Sequence, residues 1–281
     1  MDLLKETKEL CKLYNIKPSA SKGQNFLLNS FVYQAIVETA RIKSDETVLE
    51  VGPGLGFLTM ALAQQAKEVV SVELDDKLAS LLPSRLKAAG YTNIRLIHDN
   101  VLNWPRLNKM PVLNSFKIVA NLPYNITAVF LRKFLTGAPD LVSMTLMLQD
   151  EVARRITARP GDMSLLALSV QYYARAEYKF KVAAQDFYPA PKVSSAVVHI
   201  EIKKEKLLDQ EDEKLLFRLA KIGFAARRKM LKGNLLNVIK IKPELILAAM
   251  VENKIEEKAR AQDLSVEQWL GLLGSLRGYM I

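Results

Sequence analysis

The chain has 281 residues, 49% of them apolar and 25% charged, which places it among ordinary globular proteins with room for about two domains. Forty Lys and Arg against thirty Asp and Glu leave a net charge of +10, a balance that suits a polyanionic partner better than an acidic small molecule, although a basic protein with no such partner has it too. The single cysteine, Cys11, cannot form an internal disulfide, two histidines (His98 and His199) make no zinc cluster, and no apolar run reaches the roughly twenty residues that span a bilayer, so we expect a cytoplasmic chain with no structural metal and no membrane insertion.

The N-terminal "MDLLKETKELCKLYNI" interleaves charge with Leu3, Leu4, Leu10 and Tyr14; it reads as a surface helix and lacks the apolar core of a signal peptide. After a loop at "KPSASKGQ", short β-branched runs alternate with helical patterns. "TVLEVG" is a strand, "FLTMALAQQA" a helix, "EVVSVEL" a second strand, and "DDKLASLLPSRLKAAG" a helix with Asp75 as N-cap and Gly90 as its stop. "NIRLIH", "FKIVAN" and "SMTLMLQ" supply three more strands, with the helix "TAVFLRKFL" before the last. Such alternation predicts a mostly parallel sheet with helices on both faces, and such sheets bind ligands at the carboxyl ends of their strands. Beyond "QDEVARRITARPGD" come a helix, "SLLALSVQYYA", and two period-two runs, "YKFKVA" and "SSAVVHIEIK", expected as an antiparallel pair at the sheet edge. The charged "KKEKLLDQEDEK" (203–214) reads as a hinge and everything after it as helices, which puts a domain boundary near residue 207.

Three successive strand ends carry chemistry. "LEVGPGLGFLT" sets Glu50, Gly52, Gly54 and Gly56 where the first strand turns into a helix; glycines there let a ligand approach the backbone, and a helix N-terminus offers free N–H groups. A dinucleotide fingerprint would need glycine at position 57, which is Phe57, so the loop suits a ligand tail without phosphates. Glu73 ends the next strand twenty-one positions after Gly52, near the spacing at which an acid reaches a ribose diol. Asp99, in "LIHDN", can accept from an exocyclic amine such as that of adenine. Each has a plainer reading as a turn glycine, a helix-capping acid or a turn acid; together they favour an adenosine-containing cofactor, with S-adenosylmethionine a better match than NAD.

The fourth strand delivers "NLPY" to the same rim. An exocyclic amine on a base is a poor nucleophile because its lone pair is delocalised into the ring. Two acceptors pulling on its N–H bonds let the nitrogen become pyramidal, and Asn121 Oδ1 and the Leu122 carbonyl can be those acceptors. Pro123 fixes φ and holds that carbonyl outward, while Tyr124 can stack on the base. The plainer reading is a strand-to-helix turn with Asn125 or Thr127 as cap.

"GQNFL", "LEVGPGLGFLT", "VELD", "HDN", "NLPYNI", "FYPAPKVSSAVV" and "FAARRKMLKGNL" resemble, in order, the motifs of the ribosomal RNA adenine N6-dimethyltransferase family, most closely the bacterial small-subunit enzymes that dimethylate two adjacent adenosines in a 3'-terminal hairpin of 16S rRNA. The likeness runs from about residue 20 to "LSVEQWLGL"; where the family often has Tyr-Gly before its "LSV" segment, this chain has "GDMSLLALSV". It implies a Rossmann-like class I methyltransferase sheet with a small all-helical C-terminal domain: residues 1–207 binding S-adenosylmethionine, 208–281 binding RNA. It implies that Asn25 and Leu27 line the cofactor site, that Gly52 meets the methionine portion, Glu73 the ribose and Asp99 the adenine, with Gln24, Gly54, Leu74 and Asn100 beside them. Asn121 would touch both cofactor and target amine, and Phe187 with Tyr124 would clamp the adenine, although the residues by themselves favour Phe187 as plain core. The partner would be 16S rRNA in the small ribosomal subunit, and the enzyme a monomer. In "KIGFAARRKMLKGNLL", Lys221, Arg228 and Lys232 fall at i, i+7 and i+11 of one expected helix face, with Arg227 and Lys229 beside it; the resemblance makes that stripe an RNA contact, although the region after 207 holds only thirteen bases against ten acids. Two other readings are a large-subunit enzyme of the macrolide-resistance type and a non-catalytic ribosome-assembly factor.

Overall fold

A computed structural model describes residues 2–18, 23–107, 111 and 113–280; positions 19–22 of the expected "KPSASKGQ" loop lie outside the described residues. Its elements are, in order, α1 (Leu3–Leu13), β1 (Phe26–Leu27), α2 (Ser30–Ala40), β2 (Thr47–Val51), α3 (Phe57–Ala63), β3 (Glu68–Glu73), α4 (Asp76–Ala88), β4 (Ile94–His98), β5 (Phe116–Asn121), α5 (Thr127–Gly137), β6 (Leu141–Gln149), α6 (Asp150–Ile156), α7 (Leu165–Tyr173), β7 (Ala174–Val182), β8 (Phe187–Tyr188), β9 (Ser195–Ile202), α8 (Gln210–Gly223), α9 (Leu231–Leu236), α10 (Pro243–Glu252) and α11 (Val266–Leu276). Seven strands form one sheet in the order β4-β3-β2-β5-β6-β9-β7. The first five are parallel neighbours and β9 runs antiparallel to β6, so the β9-β7 pair closes one edge. A parallel strand covered on both faces must be apolar throughout, and Val48, Leu49, Val69, Val70, Ile118 and Val119 are fully buried.

The helices obey local rules. Asp75 caps α4, accepting from the Lys77 and Leu78 N–H groups, and Gly90 leaves it at φ +83°. Pro83 sits inside α4 and removes one backbone donor, yet the helix persists because Leu78, Leu81, Leu82 and Leu86 are buried on one face. Helix α2 carries Tyr33, Ile36, Val37 and Ala40 at helical spacing; the run holds the β-branched Val32, Ile36, Val37 and Thr39, which weakens its helical signal in the sequence. Helix α1 is less peripheral than its charge implies: Leu3 and Cys11 join Leu55, Phe57, Leu81 and Leu82 in one cluster.

The chain divides into two compact units, Met1–Ala153 with Ala176–Ile202, and Arg154–Arg175 with Lys203–Ile281. The division after 202 falls five residues before the expected one. Residues 154–175, expected with the first unit, belong with the second because Met163, Ala167, Leu168 and Tyr172 are buried in its core with Leu216 and Trp269. The expected hinge over 203–214 is shorter: Asp209 accepts from the Asp212 N–H and starts α8, whose first turn holds Glu211, Asp212 and Glu213 where a helix N-terminus favours acids.

The expected basic helix is also interrupted. Helix α8 ends at Gly223, where any side chain would clash with the Trp269 ring, and α9 begins at Leu231. Buried Asn234 holds the intervening turn, donating to the Gly223 carbonyl at 2.6 Å and to that of Ala226 at 3.2 Å. Lys221, Arg228 and Lys232 therefore do not share one helix face; Arg227, Arg228 and Lys229 are exposed on the turn, and Lys232 is ion-paired with Glu257.

Candidate active site

The carboxyl ends of β2, β3, β4 and β5 open into a cavity of about 350 Å³. The glycine loop forms its floor, with Gly52, Gly54 and Gly56 at φ +66°, +59° and +86°, a backbone region that side chains rarely adopt. A Cβ at Gly54 would stand 3.4 Å from the Phe26 ring, and one at Gly56 would reach Leu82 Cδ2 at 2.8 Å, so the loop is seated directly on α4. Its N–H groups are used internally: Gly52 donates to the Val72 carbonyl, Gly56 to that of Pro53, and Gly54 to Glu73 Oε2 at 3.1 Å. The free donors expected there are absent at these three glycines, so the loop offers shape and not a phosphate cradle.

Glu73 is the hub of the cavity. Besides the Gly54 N–H, its Oε1 accepts from the Leu74 and Asp75 N–H groups, each at 2.9 Å. Burial pushes its carboxyl above the usual carboxylate range; these N–H groups oppose the shift and nearby Asp75 adds to it. Next to it Leu74 lines the cavity although 64% exposed, giving an apolar wall at the mouth. From β4, Asp99 and Asn100 reach the same space; Asp99 Oδ1 accepts from the Asn100 N–H at 2.6 Å and from Asn103 Nδ2 at 2.7 Å, and Asn100 caps the turn that follows. Gln24, Asn25 and Leu27 complete the wall from the chain before α2, and Gln24 Nε2 donates to Asp75 Oδ2 at 3.2 Å.

Asn121, at the end of β5, lines the same cavity, so the structure brings every sequence-predicted cofactor residue together. Its Nδ2 donates to the Asn25 carbonyl over a long 3.5 Å, which leaves Oδ1 without a donor among the described residues. The Leu122 side chain is buried while its N–H donates to the Met147 carbonyl; its own carbonyl accepts no hydrogen bond among the described residues. Pro123 has φ −56° and touches Gly23, where a Cβ would stand 3.0 Å from Pro123 Cβ, so the "GQNFL" and "NLPY" segments lock together. The segment is a strand-to-helix turn with Pro123 at its start, but no side chain caps the turn at 124–126 or α5, so neither Asn125 nor Thr127 has the expected capping role. The Tyr124 hydroxyl is 2.8 Å from Ser195 Oγ, and burial pushes that phenol upward. Ser195, fully buried on β9, is a partner that sequence reasoning missed; its place at the start of the strand "SSAVV" was the available signal.

Phe187 is not at the cavity. It is 4% exposed, pairs opposite Leu27 in the β1-β8 ladder and packs in the core cluster that contains Val197 and Met147. Burying a phenyl ring stabilises the fold by roughly 1.5–3 kcal/mol, which gives the Phe187 ring a packing role in this core. Tyr33, and Phe57, which in the sequence marks only the break in the dinucleotide pattern, also line the cavity, with ring centroids 6.2 Å apart. Beneath the loop Glu50 is wholly buried; Ser71 Oγ donates to its Oε2 at 2.7 Å, and desolvation raises its carboxyl to about 7. Among the described residues no cluster of acids, histidines and cysteine could hold a metal ion, and no helix is long and apolar enough to cross a membrane.

The cavity fits S-adenosylmethionine: a phosphate-free loop, a buried acid at ribose spacing, an apolar wall for a purine, and an amide at the rim. This fold and site define a class I S-adenosylmethionine-dependent methyltransferase. Residues 16–277 match the description "Ribosomal RNA adenine dimethylase", and the chain belongs to that family, an enzyme that acts on ribosomal RNA. "Ribosomal RNA small subunit methyltransferase A" of Dehalococcoides mccartyi (strain CBDB1) is 40% identical over 267 residues, 95% of this chain and 91% of its own. The protein so described from Clostridium botulinum (strain ATCC 19397 / Type A) is 38% identical over 94% of this chain and 95% of its own. Among solved structures, the dimethyladenosine transferase from Plasmodium falciparum superposes with TM-score 0.78 at 25% identity, over 91% of this chain and 98% of that one. The 23S rRNA methyltransferase ErmE gives 0.74 at 30% identity, over 90% and 100%.

Proposed function

We propose that this enzyme dimethylates the N6 amines of two adjacent adenosines in the 3'-terminal hairpin of 16S rRNA, acting in the cytoplasm as a monomer, without a metal, on the small ribosomal subunit. The observation that carries the chemistry is the pair of unengaged acceptors, Asn121 Oδ1 and the Leu122 carbonyl, at the rim of the cofactor cavity. When bound, S-adenosylmethionine supplies an electrophilic methyl group. Asn121 and Leu122 accept the two N–H bonds of the target amine and draw its nitrogen out of conjugation, so preorganised dipoles replace a general base and the surplus proton leaves to water. Pro123 holds the Leu122 carbonyl in place, and Tyr124, anchored by Ser195, stacks on the base. Glu73 accepts the ribose hydroxyls with lone pairs that its three N–H partners leave open, while Leu74, Asp99 and Asn100 bound the adenine.

The exposed turn with Arg227, Arg228 and Lys229, flanked by Lys221 and Lys232, contributes phosphate contacts from the second unit, and the net charge of +10 supports the same partner. The small-subunit assignment follows the relatives at 38 to 40% identity over nearly the whole chain. Methyl transfer to immature 30S particles set against 23S rRNA tests it: label in the particles is expected, and label in 23S rRNA alone would overturn the small-subunit reading. Mass spectrometry of rRNA from cells with and without the protein locates the modified adenosines.

A further inference from the structure

We propose that Glu6 and Arg85 are positioning residues of this methyltransferase: α1 sets cofactor affinity by holding the Arg85 guanidinium over Phe57, whose ring walls the cofactor cavity. The inference rests on the cofactor reading above. Arg85 leaves α4 between two partners on opposite elements. Its Nη2 donates to Glu6 Oε1 of α1 at 2.7 Å, and its guanidinium carbon stands 4.8 Å from the Phe57 ring centroid. The side chain is only 14% exposed, and its buried Nε has no hydrogen-bond partner among the described residues. An arginine in so dry a place is held by the acid on one side and the ring face on the other, where low solvent access strengthens both attractions.

Phe57 is the first residue of α3, directly after Gly56, and it lines the cavity with Tyr33. The rest of α1 is fastened to the same support: Leu3 and Cys11 pack with Leu55 of the glycine loop, and Lys77 of α4 donates to the Asn15 carbonyl just past α1. None of residues 3–13 lines the cavity itself, yet they bear on it through the shared cluster with Leu55 and Phe57 and through α4.

The test is calorimetric titration of the full-length protein with S-adenosylmethionine and S-adenosylhomocysteine, alongside thermal midpoints and steady-state kinetics. Arg85→Met is expected to weaken both ligands about fivefold to tenfold, with kcat at saturating cofactor within about twofold. The charge swap Glu6→Arg with Arg85→Glu re-forms the ion pair but sets an acid beside the ring; it is expected to regain most of the thermal midpoint without regaining ligand affinity. In a Phe57→Leu background, Arg85→Met is expected to change affinity less than about twofold. Wild-type affinity in Arg85→Met, full rescue of affinity by the swap, or an undiminished effect in Phe57→Leu would each overturn the proposal. Should Arg85→Met not fold, Glu6→Gln leaves the guanidinium in place and is expected to weaken both ligands about threefold; unchanged affinity there also overturns it. A wild-type protein that binds neither ligand overturns the cofactor reading first, and this inference with it.

Discussion

Single atoms decide the chemistry of this rim. Asn121→Ala removes one of the two acceptors and is expected to lower kcat by at least about a hundredfold while the dissociation constant for S-adenosylhomocysteine rises less than about fivefold; wild-type turnover in a methylation assay would contradict the amine-polarising role. Glu73→Ala is expected to weaken cofactor binding at least about tenfold, because it takes away the proposed ribose acceptor and also strands the Gly54, Leu74 and Asp75 N–H groups. An unchanged dissociation constant by calorimetry would remove Glu73 from the site. Glu50 makes a prediction about pH. Its carboxyl, with an ordinary value of 4.5, is raised to about 7, chiefly by burial and further by the Glu73 charge, against the Ser71 hydrogen bond. The folded state thus holds this proton more tightly than the unfolded chain, so the group's contribution is present below pH 4.5 and is lost as pH rises through about 7. Relative to Glu50→Gln, the wild-type unfolding free energy is expected to fall by about 3 kcal/mol between pH 4.5 and 8, as urea denaturation would show.

Elements show where spacing along the chain stops being a guide. Every strand from β2 to β6 was legible, because Val, Ile and Leu runs bounded by turn residues have few other uses, and Asp75 and Gly90 announce both ends of α4. The basic segment misleads for a definite reason. Its residues keep helical spacing through 221–232, but α8 stops at Gly223, packed against Trp269 forty-six positions on, and Asn234 holds the chain in a turn by donating to the Gly223 and Ala226 carbonyls. The turn leaves Arg227, Arg228 and Lys229 exposed together. Replacing all three with alanine is expected to weaken rRNA binding at least about tenfold and to flatten its salt dependence by roughly two to three charges, with cofactor affinity unchanged; filter binding across a salt series checks both.

For the molecule as a whole, the discontinuous second unit carries a prediction of its own. A fragment ending at residue 207 keeps Met163, Leu168 and Tyr172 but loses Leu216, Leu273 and Trp269, their companions in one core. That fragment is expected to aggregate or to melt without cooperativity, and a sharp thermal transition at the wild-type midpoint would contradict the partition. What the amino-acid sequence determined unaided is the alternating sheet, the three strand ends that line the cavity, and the Asn-Leu-Pro-Tyr rim, since each is written in short runs of neighbouring residues. The burial of Phe187 against Leu27, the internal use of the glycine-loop N–H groups and the transfer of 154–175 to the helical unit were decided only in three dimensions. The physical reason is largely common to all three: apart from the Gly56 N–H, which turns back to Pro53, whether a ring, an N–H or an apolar face is free depends on partners from about twenty to over a hundred residues distant, which local periodicity does not encode.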